Sequence, residues 1–398
     1  MRRVHTGLDR LVAEGFGPLR DQRVGLIANP TTVDLKMRHL ADLLYQAPGV
    51  KLAALFGPEH GVRGDVQDMV GVETDHDPRT GVPAFSLYGS DVASLVPSAD
   101  ALSDLDVLIF DVQDVGSRYY TFAATMLYSM QAAAVNGRKF MVLDRPNPIG
   151  GVVVEGPTVH AGFESFVGAY PLPIRHGMTV GELALMFKTE LALDLDLNVI
   201  PCEGWTRAMP WRETGIPWVA PSPNMPTPET ALVYPGGCLI EGTNLSEGRG
   251  TTRPFELWGA PWIDADAIAQ ALSPITGALL RPGPFRPMFH KHSGQVCQGV
   301  QPHVVDPHAF RSVALYAGMI ALARVQGLDY FAWRTETYEF ISEPIAIDLL
   351  FGSSTERLAI EAFDRPTEIG TWLDALMQSW KHDENEFLER RRRFLRYA

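Results

Sequence analysis

Glu59 and His60 stand in the segment GPEHG, directly after Pro58 and between Gly57 and Gly61. Proline fixes φ and glycine permits tight backbone geometry, so a carboxylate in this setting is held rather than left to wander, which suits proton transfer. The competing reading is a tight loop in which both side chains only satisfy backbone groups. Glu155 in GGVVVEGP and Glu241 in YPGGCLIEGTNLSEGRGTT occupy Gly-flanked turns beside apolar runs. A carboxyl against an apolar wall holds a raised pKa and stays protonated, the condition for the acid of a glycosidase whose second carboxylate is ionised. His60 reads as a residue that orients its neighbour and not as a metal ligand, because no histidine four positions away accompanies it. Asp65, Asp68, Asp75, His76 and Asp77 invite a divalent-cation site, with an acidic surface loop as the preferred account. His290, His292, His303 and His308 with Cys297 match no ligand spacing, and neither a metal nor a cofactor is expected.

Such groups need strands to aim them. Apolar, β-rich runs (RVGLIAN, VKLAALFG, AFSLYG, DVLIFDV and KFMVLDR) alternate with helical patterns. This alternation is the signature of βαβ units in a mostly parallel sheet, and near-continuous apolar strands require helices on both faces. The expectation is an α/β chain with a three-layer domain over residues 1–228 and a smaller α+β domain over residues 229–398. Ligands of such sheets bind beyond the carboxyl ends of the strands. Asn29 follows the first strand, Glu59 and His60 the second, Asp111 and Asp114 the fourth, and Asp144, Arg145 and Asn147 the fifth. Asp111 and Asp114 are placed to bond sugar hydroxyls, and Arg118 offers a fixed fork to a substrate carboxylate, unless it pairs with Asp114 on the first helical turn. Tyr119 and Tyr120 either give a pyranose a flat surface or pack in the core, and Asp144 and Arg145 share the ambiguity between site and structure. A helix is expected through AATMLYSMQAAAV to a stop at Asn136 and Gly137, and another from Thr179, which has capping-box spacing to Glu182. The Arg390–Arg393 run reads as the solvated end of a Glu-then-Arg helix.

Composition narrows the class. The 398-residue chain is 46% hydrophobic, with 34 Lys plus Arg against 47 Asp plus Glu, a formal charge of -13. That excess repels nucleic-acid phosphates and anionic lipid, so neither is expected as a partner. Cys202, Cys238 and Cys297 build no disulfide framework and read as buried thiols. No apolar h-region follows Arg2 and Arg3, and no run is long enough to span a bilayer. The chain as given is therefore expected in the cytoplasm, or in the periplasm or outside the cell where an export signal has been removed. The Gly-rich segment is no P-loop, since five residues separate Gly242 from Gly248 and Arg249 stands in place of the required lysine. Neither G-x-G-x-x-G after the first strand nor a G-x-S-x-G elbow is present.

At RVGLIANPT, ALFGPEHGVRG, LIFDVQDVGSRYYT, LDRPNPIGG, VEGP, PIRHGMTVGELA, PSPNMPT, EGTNLSEGRGTTRPFELWGAPWID, GVQPHV and RRRFLRYA, in order along nearly the whole chain, the sequence resembles a known family. It is similar to the bacterial exo-β-N-acetylmuramidases of the NamZ-like type, long catalogued as a conserved domain of unknown function. The resemblance implies a Rossmann-like N-terminal catalytic domain, a smaller C-terminal domain and an active cleft between them. It also implies hydrolysis of terminal N-acetylmuramic acid (MurNAc) from the non-reducing end of peptidoglycan fragments, which are then the expected partners. Glu59 becomes the leading catalytic carboxylate, with Glu155 and Glu241 ranked equally as its partner and Glu247 and Asp114 behind them. The lactyl carboxylate of MurNAc asks for a cation, for which Arg63, Arg118, Arg145 and Arg249 lie in matching motifs. The N-acetyl group asks for an amide-competent neighbour, for which Asn147, Asn224 and Asn244 are available. The expected mechanism has a protonated Glu59 donating to the leaving oxygen while a second carboxylate attacks C1 or activates water, with substrate-assisted attack by the acetamido group as a third route. The rival readings are a non-catalytic muropeptide-binding or sensing protein and, on fold analogy alone, a nucleotide-dependent enzyme.

Overall fold

The computed structural model describes residues 3–63, 75–275 and 277–398, so Asp65 and Asp68 of the acidic loop lie outside the described residues. The main sheet is built from β1 (Arg23–Ala28), β2 (Lys51–Gly57), β3 (Asp75–His76), β4 (Pro83–Ser86), β5 (Val107–Asp111), β6 (Lys139–Leu143) and β7 (Leu197–Ile200). Its strand order is β3-β4-β2-β1-β5-β6-β7, parallel throughout except for β3, which runs antiparallel to β4 at one edge. Successive side chains of a strand point to opposite faces, and here both faces are apolar. Ile27, Phe56, Phe110 and Val142 pack on one face with the helices Phe122–Val135 and Val180–Glu190. Leu26, Leu55, Ile109 and Leu143 pack on the other with the helices Gly7–Ala13 and Leu40–Gln46. The three-layer α/β expectation therefore holds. The local signals also act as read: the Phe122–Val135 helix ends at Asn136 with Gly137 at φ 62°, and Thr179 and Glu182 form a reciprocal capping box.

The second part of the chain carries a three-stranded antiparallel sheet of β8 (Trp258–Ala260), β9 (Ala278–Phe285) and β10 (Cys297–Val304), in the order β8-β10-β9. Beside it the buried helix Ser312–Gln326 crosses Pro228–Gly237, and the two approach so closely that a side chain at Gly236 would collide with the Ser312 carbonyl. One hydrophobic cluster runs from Phe56 and Phe110 through Tyr234 to Trp258, Tyr316 and Trp380, so both parts of the chain share it. The C-terminal segment closes this union. Arg391 is buried and donates to the carbonyls of Gly151, His176 and Gly177, while Tyr397 bonds Asp144. The arginine run is thus no solvated helix end at Arg391; its guanidinium satisfies carbonyls that the loop 151–177 leaves unpaired. All three cysteines are free and buried. Among the described residues no helix is long and apolar enough to cross a membrane.

Candidate active site

Strand order reverses at β1, with β2 on one side and β5 on the other, so the crevice beyond these carboxyl ends is where an open sheet offers a site. The cleft itself lies to the β2 side of that crevice; it spans about 700 Å³ together with the solvent it opens to, and is walled by the β2 end, by the segment 119–122 and by loops of the second part of the chain. Glu59 enters it two residues past β2. The turn is tight: Gly61 N–H donates to the Pro58 carbonyl at 2.9 Å, a Cβ on Gly57 would stand 2.9 Å from the Val62 nitrogen, and His60 is left-handed at φ 75°. Thr121 precedes the helix Phe122–Val135, where a threonine ordinarily caps the first turn. It makes no side-chain cap here; its hydroxyl donates instead to Glu59 Oε2 at 3.0 Å.

The second part of the chain supplies the facing wall. Glu241 Oε1 accepts from Arg249 Nη2 and Oε2 from the Tyr338 hydroxyl, both at 2.7 Å. Behind it Arg249 Nε lies 3.3 Å from Glu247, which also meets His290 Nδ1 at 3.1 Å and Lys291 Nζ at 3.0 Å. Burial alone would raise the pKa of Glu247, but Lys291, His290 and Arg249 together hold it well below the usual carboxylate range. Arg334 stacks over the Tyr338 ring with 4.9 Å to the centroid and reaches the same cleft. Glu339 completes the wall, accepting from the Tyr88 hydroxyl at 3.0 Å. It is left-handed at φ 46°, as is Phe340 at φ 69°. Non-glycine residues so held cost about 1–3 kcal/mol each and gather where a site over-determines the backbone. His60, Phe255, His290 and Glu339 are all left-handed and all line this cleft.

Of the residues singled out by sequence, the cleft brings together Glu59, His60, Tyr119, Tyr120, Asn224, Glu241, Arg249 and His290, with Glu247 directly behind. The others lie elsewhere. Glu155 is buried outside the cleft, where Oε1 accepts from Ala314 N–H at 3.0 Å and burial pushes the carboxyl up to about 7. Asp111 and Arg145 form a buried ion pair at 2.6 Å. Arg118 makes no ion pair with Asp114; it is buried and donates to the carbonyls of Pro157, Leu172 and Leu350. Asp114 accepts from Gly116 N–H at 2.6 Å. Asp144 takes Thr179 and the Gly181 amide at the start of a helix, and Asn147 donates to the Met178 carbonyl. Arg63 pairs with Asp77 at 2.9 Å and Asp42 at 3.1 Å, which also makes Asp77 a structural partner. Asn244 ties Tyr330 to Ala332. The cause is common to most of them: segments after β6 fold back over the central strand ends, so polar groups there are enclosed and must bond internally. Among the described residues no group of three His, Cys, Asp or Glu side chains is arranged to hold a metal ion.

This geometry has known counterparts. A family model described as exo-beta-N-acetylmuramidase NamZ, N-terminal, matches residues 24–229, and its C-terminal companion matches residues 232–397. The chain belongs to the NamZ family. It is 43% identical to the peptidoglycan beta-N-acetylmuramidase NamZ of Bacillus subtilis (strain 168) over 397 residues, which cover 99% of this chain and 92% of that one. Two crystal structures of DUF1343 family proteins from Bacteroides fragilis NCTC 9343 superpose on it. One has a TM-score of 0.87 at 34% identity and the other 0.75 at 30%, each covering 100% of this chain and 99% of its own. Within this NamZ chain, sequence reasoning missed Arg334, Tyr338 and Glu339. They lie in RTETYEF, which follows no parallel strand and contains no glycine to mark its turn.

Proposed function

We propose that this chain is an exo-acting glycoside hydrolase that releases terminal β-N-acetylmuramic acid from the non-reducing end of peptidoglycan fragments. The observation that carries the reading is the meeting of Glu59, aimed by the β2 end, with Glu241 and Glu339 from the second part of the chain, in one cleft. Paired carboxyls flanking a glycosidic bond are what its hydrolysis requires: one protonates the leaving oxygen while the other meets the oxocarbenium-like carbon or activates water. We read residues 1–228 as the catalytic part and residues 229–398 as the part that completes the cleft. Glu59 is the leading carboxylate. Glu155 leaves the list of partners because the cleft does not reach it.

MurNAc adds a lactyl carboxylate to the sugar, and two guanidinium groups stand on the cleft wall, Arg249 and Arg334. Arg334, whose guanidinium lies over the Tyr338 ring on the cleft wall, is assigned the lactyl carboxylate, and Arg249, bound to Glu241 and Glu247, is assigned a charge-holding role. Asn224, on the same wall, is the amide placed for the N-acetyl group. Tyr120, Tyr234 and Phe255 pack edge to face along the cleft and supply its apolar floor.

The test is release of phenol from an aryl β-N-acetylmuramide beside the matching β-N-acetylglucosaminide, with NMR of the first-formed anomer. Release from the muramide alone supports the reading and reports retention or inversion. Saturable binding of MurNAc without release from either substrate moves the chain to the sensing class.

A further inference from the structure

We propose that Glu339 is the general acid of this reaction, passing a proton from Oε1 to the glycosidic oxygen while Glu59 acts at C1 as the carboxylate. The assignment rests on the muramidase reading above and exchanges the roles that sequence alone suggests for Glu59 and its partner.

The turn that carries Glu339 is the first support. Tyr338 N–H donates to the Ile341 carbonyl at 2.8 Å and Ile341 N–H returns to the Tyr338 carbonyl at 3.0 Å. Glu339 and Phe340 are thus the two central residues of a two-residue hairpin turn, both at positive φ. Asn and Gly are the residues that such a turn favours. A glutamate and a phenylalanine serve something other than the turn. The Phe340 ring packs 5.6 Å from the Tyr88 ring, and the Tyr88 hydroxyl binds Glu339 Oε2. One tyrosine therefore grips both turn residues, and its hydrogen bond leaves Oε1 as the seat of a transferable proton.

The neighbouring carboxyl supplies the contrast. Glu241 is bound at both oxygens, by Arg249 and by Tyr338, donors that suit an anion. Among the described residues, the charged and titratable groups that act on Glu339 include Glu59, Glu241, Arg334, Tyr88 and Tyr338. Burial first, then the charges of Glu59 and Glu241, push the Glu339 carboxyl up to about 8, against the pull of Tyr88 and Arg334. Glu339 therefore keeps its proton to a higher pH than an ordinary carboxyl.

The step balances within the cleft. The Glu339 proton moves to the glycosidic oxygen as the C1–O bond breaks, the bonding pair stays on that oxygen, and the second sugar leaves as a neutral alcohol. Water supplies the oxygen that ends on C1. Its proton goes to Glu59 when water attacks directly, or to the now ionised Glu339 when water displaces Glu59 from C1.

The experiment compares wild type, Glu339→Gln and Glu339→Asn on the MurNAc-GlcNAc disaccharide and on an aryl muramide with a strongly activated phenol. The expected loss for Glu339→Gln is about 10²–10⁴-fold on the disaccharide and under about tenfold on the aryl substrate, whose phenolate leaves without a proton. The decline of kcat above pH about 8 is expected to vanish in that variant. Glu339→Asn should share the loss on the disaccharide while melting at or above the wild-type temperature, because asparagine suits the turn; a merely structural glutamate would lower Tm. Equal losses on both substrates, or an unchanged alkaline limb, overturn the assignment and leave the muramidase reading standing. A wild-type protein inactive on both muramides removes that reading and the assignment with it.

Discussion

Glu339 and Glu155 are both buried carboxyls pushed up, to about 8 and about 7, and in both cases burial is the main cause. They differ in what lies next to them. Glu339 sits on the wall of a cleft, in a turn of unfavourable backbone, with two further carboxyls nearby. Glu155 sits behind the helix Ser312–Gln326, bonded to the Ala314 amide, while its Oε2 has no partner among the described residues. Asp144, pushed up to about 6 by burial, likewise serves the Thr179 hydroxyl and the Gly181 amide and reaches no open space. A raised pKa therefore identifies a carboxyl removed from water. Access to a cleft is what separates a group able to exchange its proton with a substrate from one that only holds the fold.

That contrast can be broken by substitution. Glu59→Gln should lower kcat on the disaccharide by about 10²–10⁴-fold with Tm unchanged, as steady-state rates and calorimetry would report; an active variant would remove Glu59 from the chemistry. At the enclosed strand ends the effect should be the reverse. Arg145→Met strands the buried Asp111 carboxylate and should cost about 3–5 kcal/mol in denaturant unfolding, with the folded fraction keeping its activity. Arg334→Ala tests the middle of the range: losing a charge-assisted bond worth about 1.5–3 kcal/mol should raise KM for the muramide by about 10–150-fold, with little change in kcat.

The smallest effect sharpens the comparison by pH. The Glu155 pKa is raised from 4.5 to about 7 on folding, so between those values the native state binds a proton that the unfolded chain has released. Stability owed to this group is full below pH about 4.5 and is lost as pH rises towards 7. Wild type should accordingly lose stability relative to Glu155→Gln across that window in urea titrations at stepped pH. A constant difference between the two proteins would show that Glu155 does not take up this proton.

Much of the scaffold was legible in the sequence because its causes are local. Apolar runs buried on both faces specify a parallel sheet between helix layers, and Thr179 with Glu182 and Asn136 with Gly137 mark helix ends through bonds made within a few residues. Glu59 was legible for the same reason, since Pro58, Gly57 and Gly61 announce a constrained turn at a strand end. Position at a strand end failed by itself at Asp111, Asp144, Arg145 and Asn147, where whether a strand end stays open depends on chain that folds over it. Glu339 lies 280 positions from Glu59 and is held left-handed against its own preference by Tyr88 and the Tyr338–Ile341 pairing. By itself the sequence determined the layers, the caps and one carboxylate. Only the tertiary structure decided which polar groups face the cleft and what stands opposite Glu59, because long-range packing alone can close over some strand ends and hold a strained turn against another.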